Sequence, residues 1–335
     1  MKYLLNILII SVWTLALTAQ ETAQSDVIEE LIQQQEFSKA RDILMRQYVA
    51  NDEDPETNYW LAVLALRDTL YDDAIDYLDV AIEGDENNAQ YYYMLGSAYA
   101  VKTQNAGAIK AAFSASSIKS NWQKALEIDP DHLQARWGLF QFFLNAPGIL
   151  GGDQDEAKKL AENHVVKDPG EGHMMLARYY WFSEENIEKT EDELTQSLDA
   201  ETDEDSYKRI RYMGTDLLNR LGYRFLNKKD YDKSEKYFKW AIKVTPEYQN
   251  PYDSMGDYFA AVAKYDSALV YYEKAVSIKP DFTVSLFNKA ETLYNLGKKD
   301  ESLVFFRQLI DKFPGDRYAK KAKDRLAEIG EEGDK

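Results

Sequence analysis

Carboxylates are abundant in this chain, but the histidines and cysteines that would turn them into acid–base or metal sites are scarce. Histidine occurs only at His132, His164 and His173, and no HExxH pair is among them. His132 follows Asp131 and His173 lies two residues after Glu171, so a base beside a carboxylate can be drawn in two places. Both places fall at predicted joints between helix pairs, where histidine serves as a cap or turn residue, and no catalytic residue is expected. Thr202-Asp203-Glu204-Asp205 offers the oxygen ligands of a calcium loop but lacks its central glycine and closing glutamate. A solvated acidic linker is expected there, and no metal. Gly151-Gly152 lacks a strand–turn–helix setting, and the chain has no phosphate-cradling loop, dinucleotide fingerprint or nucleophile elbow. No cofactor is implied. The absence of cysteine removes disulfides, thiol catalysis, cysteine zinc sites and lipobox acylation.

The rest of the composition describes a folded, acidic protein. In 335 residues, 40 Lys and Arg face 58 Asp and Glu, a formal charge of −18. A phosphate backbone is repelled by such a surface, so nucleic acid is not an expected partner, whereas basic peptides or protein faces are attracted. With 45% apolar and 13% aromatic residues the chain can bury a sizeable core.

The N-terminus reads as a targeting segment. Met1-Lys2 gives a positive start, Tyr3 to Leu17 is mostly apolar, and Thr18-Ala19-Gln20 turns small and polar. This is the order of a secretory signal peptide over residues 1–19, cut after Ala19. As a helix the apolar run reaches only about 22 Å, short of the roughly 30 Å hydrocarbon layer. The expected mature protein is exported, soluble and periplasmic, with no membrane span.

Beyond it, a 34-residue period organises the chain. Pro246, Pro280 and Pro314 are separated by that interval, and proline cannot continue a helix. Between them the apolar spacing is helical: Tyr92, Leu95, Gly96 and Tyr99 fall at i, i+3, i+4 and i+7. Leu218, Leu221, Gly222 and Phe225 repeat the spacing, as do Tyr252, Met255, Gly256 and Phe259. The following helix carries a small residue, an aromatic four on and a small residue three further: Ser234, Phe238, Ala241 and Ala268, Tyr272, Ala275. Each helix pair must bury its face against the next.

This pattern resembles the tetratricopeptide repeat family, with its W-x2-L-G-x2-Y, A-x3-F and P positions. The resemblance implies an all-α fold, an α-solenoid wound as a right-handed superhelix of helix–turn–helix repeats. The array is expected over 20–316, with repeats at 21–54, 55–88, 89–132, 133–171, 172–205, 215–248, 249–282 and 283–316. A helix–loop segment over 199–214 interrupts the period, and 317–335 form a capping helix and tail whose charged run is its solvated face.

Two repeats are too long. The third carries ten extra residues between Tyr99 and Trp122, many of them small, and the fourth carries five between Phe143 and Ala157. Both are expected in the turn inside a hairpin, where neighbouring insertions emerge on one edge and can touch. Phe142 to Gly152 followed by Lys167 to His173 resembles a group of exported bacterial tetratricopeptide proteins with an APGIxGG turn and a DPxxGH joint. Asn145, Pro147, Gly148, Ile149, Gly151 and Gly152 form a candidate recognition loop; an irregular helix connection closed by glycines is the other reading.

The resemblance also implies that first helices line a concave groove. Residues one beyond the opening aromatic then face it: Tyr59, Tyr93 and Trp137 in repeats two to four, and Asn219, Asp253 and Phe287 in repeats six to eight. Four residues on come Tyr223, Asp257 and Glu291. The aromatics suit binding hot spots, and they equally suit packing between repeats. A Lys/Asn clamp for a C-terminal carboxylate is not matched, because Asp253, Asp257 and Glu291 hold the corresponding faces. The expected function is a non-enzymatic adaptor holding a basic or neutral protein or peptide segment in its groove. A structural subunit of a cell-envelope assembly is the alternative, and a small-ligand binder or enzyme near His173 ranks last.

Overall fold

Helix follows helix through the chain. The computed structural model describes residues 26–104 and 108–333, and no strand occurs among them. The expected signal peptide over 1–19, residues 105–107 of the third-repeat insertion and residues 334–335 lie outside the described residues. The boundary between two compact units falls between Leu160 and Ala161.

In the first unit, residues 26–33 form α1, followed by α2 (Phe37–Ala50), α3 (Pro55–Arg67), α4 (Tyr71–Gly84), α5 (Ala89–Gln104), α6 (Ala108–Ile128) and α7 (Leu133–Asn145). A short 3-10 turn, Gly148–Leu150, leads to α8 (Gln154–Val165), within which the unit boundary lies. The second unit continues with α9 (Pro169–Phe182), α10 (Ile187–Asp199), α11 (Glu204–Asn227) and α12 (Tyr231–Val244). It ends with α13 (Gln249–Ala261), α14 (Tyr265–Ile278), α15 (Thr283–Asn295), α16 (Lys299–Lys312) and α17 (Arg317–Gly333).

Glycine against an aromatic ring sets the distance within three of the hairpins. A β-carbon placed on Gly222 would stand 2.4 Å from the Phe238 ring, and one on Gly256 would stand 2.4 Å from Tyr272. Phe238 and Tyr272 are buried between Ser234 and Ala241 and between Ala268 and Ala275, so the small-aromatic-small row is the contact row. In the third repeat Trp122 takes this part against Gly96, and its other face lies against Gly138 of α7. The row runs through α10 as Thr190, Leu194 and Ser197, all buried, where the sequence shows only its leucines clearly.

The turns inside the hairpins repeat as closely as the helices. Gln35, Thr69, Lys229, Ala263 and Gly297 all have positive φ, between 55° and 78°, and they stand at matching places in their repeats. A left-handed residue there ends the first helix and lets the chain reverse within a few residues. Only Gly297 carries the residue type that this conformation favours.

Three expectations from the sequence are revised. Residues 199–214 hold no long loop: Asp203 caps α11, which runs unbroken for 24 residues. Its polar first turns are anchored because Ile210 is buried and Gly214 meets Leu194, Leu198 and Met174. The insertion in the third repeat is largely absorbed by longer helices, 16 residues in α5 and 21 in α6 against 13 and 14 in α3 and α4. The fifth repeat opens at Pro169 and not at 172, because the Asp168 side chain accepts from the Glu171 amide and proline fits a helix's first position.

Candidate binding face

In the first unit, side chains from three repeats meet along the first helices. The Gln90 amide donates to the Tyr59 hydroxyl at 3.0 Å, and its oxygen lies 3.0 Å from His132 Nε2. His132 Nδ1 accepts from the Ala135 amide, which leaves Nε2 as the protonated nitrogen that donates to Gln90. Burial lowers the His132 pKa and raises that of Tyr59. Tyr59 also stacks on Tyr91, with ring centres 5.2 Å apart, and Tyr93 lies 5.1 Å from the His132 ring. Trp137 is only 8% exposed and packs edge-on against Phe140. Tyr59 and Tyr93 thus keep part of their surface open, while most of Trp137 is spent on the core.

In the second unit the acidic positions are drawn into one network. Asp257 on α13 accepts from the Tyr223 hydroxyl of α11 at 2.7 Å, the Tyr272 hydroxyl of α14 at 2.7 Å and the Asn288 amide of α15 at 3.2 Å. Asp253, one turn earlier, accepts from the Ser285 hydroxyl at 2.6 Å and from Asn288 at 3.4 Å. Burial, and then the charge of Asp257, push the Asp253 carboxyl up to about 7. Burial also raises Asp257, against the lowering by its two tyrosine hydrogen bonds. Tyr223 and Tyr272 are raised by burial and then by the charge of Asp257. Asn219, on the same face of α11 as Tyr223, has a buried side-chain oxygen with no hydrogen-bond partner.

Two positions assigned to the groove are engaged elsewhere. Glu291 accepts from Arg325 Nε of α17 at 3.0 and 3.3 Å, so the capping helix neutralises it. Phe287 lies between Phe306 and Tyr318, 5.6 and 5.8 Å from their ring centres. Both residues tie the last repeat to its cap.

The loop after α7 is compact. The amides of Leu150 and Gly152 donate to the Pro147 carbonyl, and that of Asp153 donates to Phe143. Gly151 has φ +95°, and a β-carbon on Gly152 would collide with the Ala146 carbonyl. Asn145 bonds back to Gln141, Pro147 and Gly148 are exposed, and Ile149 at the tip is 94% exposed. Lys119 of α6 runs beside this loop: a β-carbon on Gly151 would stand 3.7 Å from its Cδ, and its ammonium lies 5.0 Å from the Phe143 ring centre of α7. The loop of the fourth repeat thus packs on the part of α6 that ordinary second helices share, three residues before Trp122.

The possible acid–base pairs are separated. Glu171 is fully buried and paired with Arg209 at 2.6 Å, whereas His173 pairs with Glu193 at 2.7 Å. His132 is a helix cap. Asp203 accepts from the amides of Asp205 and Ser206, so the acidic tetrapeptide starts a helix. Among the described residues no group of three or more His, Asp or Glu is placed to hold a metal ion.

Paired helices stacked through glycine–aromatic contacts at a 34-residue interval define a helical-repeat protein. Models described as tetratricopeptide repeat match residues 28–89, 215–248 and 260–326. These segments are tetratricopeptide repeats, and the all-helical fold is that of a tetratricopeptide repeat protein. Yeast Tom70, in its crystal structure, is 17% identical over 87% of this chain, with a TM-score of 0.56. The chain spans 59% of Tom70's length, and the likeness is one of fold. Pseudomonas aeruginosa pilF is 17% identical over 72% of this chain and 98% of its own, with a TM-score of 0.43. YrrB, titled a TPR protein with an unusual peptide-binding site, is 17% identical over 73% of this chain and 97% of its own, with a TM-score of 0.32. No curated protein sequence matches the chain. No helix among the described residues is long and apolar enough to cross a membrane.

Sequence reasoning placed residues on this face but missed their partners. Gln90, Tyr272, Ser285 and Asn288 were not among the candidates. Asn288 could have been found, since it lies 31 residues beyond Asp257 and so near the same height in the next repeat.

Proposed function

We propose that this protein is a non-enzymatic, exported adaptor that holds a protein or peptide segment against the first-helix faces of its repeats. The fold supports it by analogy, because stacked hairpins offer extended faces for chains. The observation that carries the charge preference is the net charge of −18, which favours a basic or neutral segment. The Asp253–Asp257 pair is itself buried and bonded to tyrosine, serine and asparagine donors of the fold. Tyr59 and Tyr93 supply rigid contact area in the first unit. Export rests on the leader at residues 1–19, and the periplasm is the compartment it indicates.

Photo-crosslinkers at Tyr93, Asn219 and Ile149 in the living cell test the reading. Crosslinks from Tyr93 or Asn219 to one polypeptide, lost on Tyr59→Ala or Asp257→Ala, support the adaptor. Crosslinks from Ile149 alone favour the structural-subunit reading, which the exposed tip of the loop suggests. A mature N-terminus other than Gln20 in the exported fraction would displace the predicted cleavage site.

A further inference from the structure

The Asp253–Asp257 network joins three successive repeats and is short of positive charge. Its donors come from α11, α14 and α15, whereas both carboxyls stand on α13. Each neighbouring helix keeps its other charged groups away from the pair. On α12, Glu235 pairs with Lys239 and accepts from Tyr258. On α14, Glu273 pairs with Lys289 of α15, and Lys274 lies over the Tyr252 ring. On α15, Lys289 also lies over Phe305, and Glu291 is held by Arg325. On α11, Tyr223 is the titratable group that reaches the pair.

Two carboxyls that are buried, one helical turn apart and sharing a single amide donor resist double ionisation. The donors are divided unequally. Asp257 receives three, on both oxygens, and so is arranged as the ionised partner. Asp253 receives its bonds on Oδ1 alone, and Oδ2 is left for the proton. The arrangement suits one charge and one proton.

We propose that Asp253 and Asp257 hold a single shared proton in the folded protein, and that its loss is a pH switch on the joint between the sixth, seventh and eighth repeats. With the proton in place the network clamps α11, α13, α14 and α15 together. Without it, two buried anions repel across one turn of α13 and the clamp weakens. The sign follows from linkage. Asp253 is raised to about 7 from an unfolded value of 3.8. Its contribution is therefore complete below the unfolded value, declines as pH rises between the two, and is gone above the folded value. The joint is tightest in mild acid. None of this depends on the identity of a partner.

The test is urea unfolding of the full chain from pH 4.5 to 8.5, comparing wild type with Asp253→Asn, which keeps the shape of the side chain but not the titration. The wild-type unfolding constant is expected to rise relative to the variant's by about tenfold per pH unit between pH 5 and 7, then to level off. A ratio that stays constant across that range overturns the proposal. If the variant does not fold, carboxyl carbon NMR of aspartate-labelled wild type decides. One aspartate titrating near neutrality supports the shared proton, and titration of every aspartate below pH 5 rules it out.

Discussion

The indole of Trp122 lies directly on the backbone of Gly96, where a β-carbon would stand 2.7 Å from Cδ1. The ring nitrogen donates to the Tyr93 carbonyl at 3.2 Å, so the same side chain sets the helix spacing and caps a backbone acceptor. Its other face meets Gly138 of the next repeat. One residue thus fixes two interfaces, whereas Phe238 and Tyr272 each press on a single glycine, Gly222 and Gly256.

Gly222→Ala is expected to destabilise the protein although alanine is the better helix former. Alanine gains about 1 kcal/mol in a helix interior. Its methyl group would press on Phe238, which is fully buried and cannot retreat. Overpacking of this kind removes about 1–3 kcal/mol, so a net loss of about 1 kcal/mol follows. Urea midpoints check it, with Gly330→Ala as the control, since no atom lies within 4 Å of that β-carbon. Equal midpoints for wild type and Gly222→Ala would mean the ring can move.

Thr69→Gly points the other way. Thr69 is β-branched and held at φ 63° in a hairpin turn. A left-handed conformation costs such a residue about 1–2 kcal/mol, part of which glycine returns through its freer unfolded chain. The expected gain is about 0.5–1 kcal/mol, read as a raised thermal midpoint. A lowered midpoint would place the threonine side chain in a contact that outweighs the strain.

Arg209→Met tests the clasp between α9 and α11. Glu171 is fully buried, and Arg209 reaches it at 2.6 Å. Taking the guanidinium away from this buried carboxylate costs about 2 kcal/mol, the scale of a hydrogen bond to a charged group. Glu171→Gln with Arg209→Met should recover most of the loss. A single variant as stable as wild type would show that the pair contributes little.

Acid should fray the start of α11. The Asp203 pKa is lowered, first by the Ser206 amide and then by other local hydrogen bonds. A lowered carboxyl supports the folded form above its unfolded value of 3.8 and loses that support as pH falls through its folded value. Amide exchange at Asp205 and Ser206 should therefore accelerate, beyond its intrinsic rate, between pH 5 and pH 2.5 in wild type. In Asp203→Asn the protection should be the same at both pH values.

The repeat plan could be read from the sequence because its signals are local and periodic. Prolines mark the ends, and Gly222 with Phe238 keeps the same offset as Gly256 with Tyr272. The long α11 was hidden by charge: Lys208, Arg209 and Arg211 look like linker, although Ile210, Gly214, Leu217, Leu218 and Leu221 continue one helical stripe. The small residues before Trp122 suggested a turn and largely belong to helix. On the candidate face, positions such as Asp253 and Tyr223 followed from spacing. Their bonds did not, because Tyr272 comes from a second helix and the reach of a side chain is not written in a period. Glu171 and His173 show the converse, close in sequence and turned to different partners.

The unbroken run of α11 gives the second unit a mechanical character that a coil between repeats would not. At 1.5 Å per residue, 24 residues make a strut of about 36 Å. Its first turns are clasped to the fifth repeat through Arg209 and its last turns belong to the sixth, so neither hairpin can swivel about the other at this point. The place where the period slips is thus spanned by the longest helix of that unit, which carries the chain from one hairpin into the next without a joint.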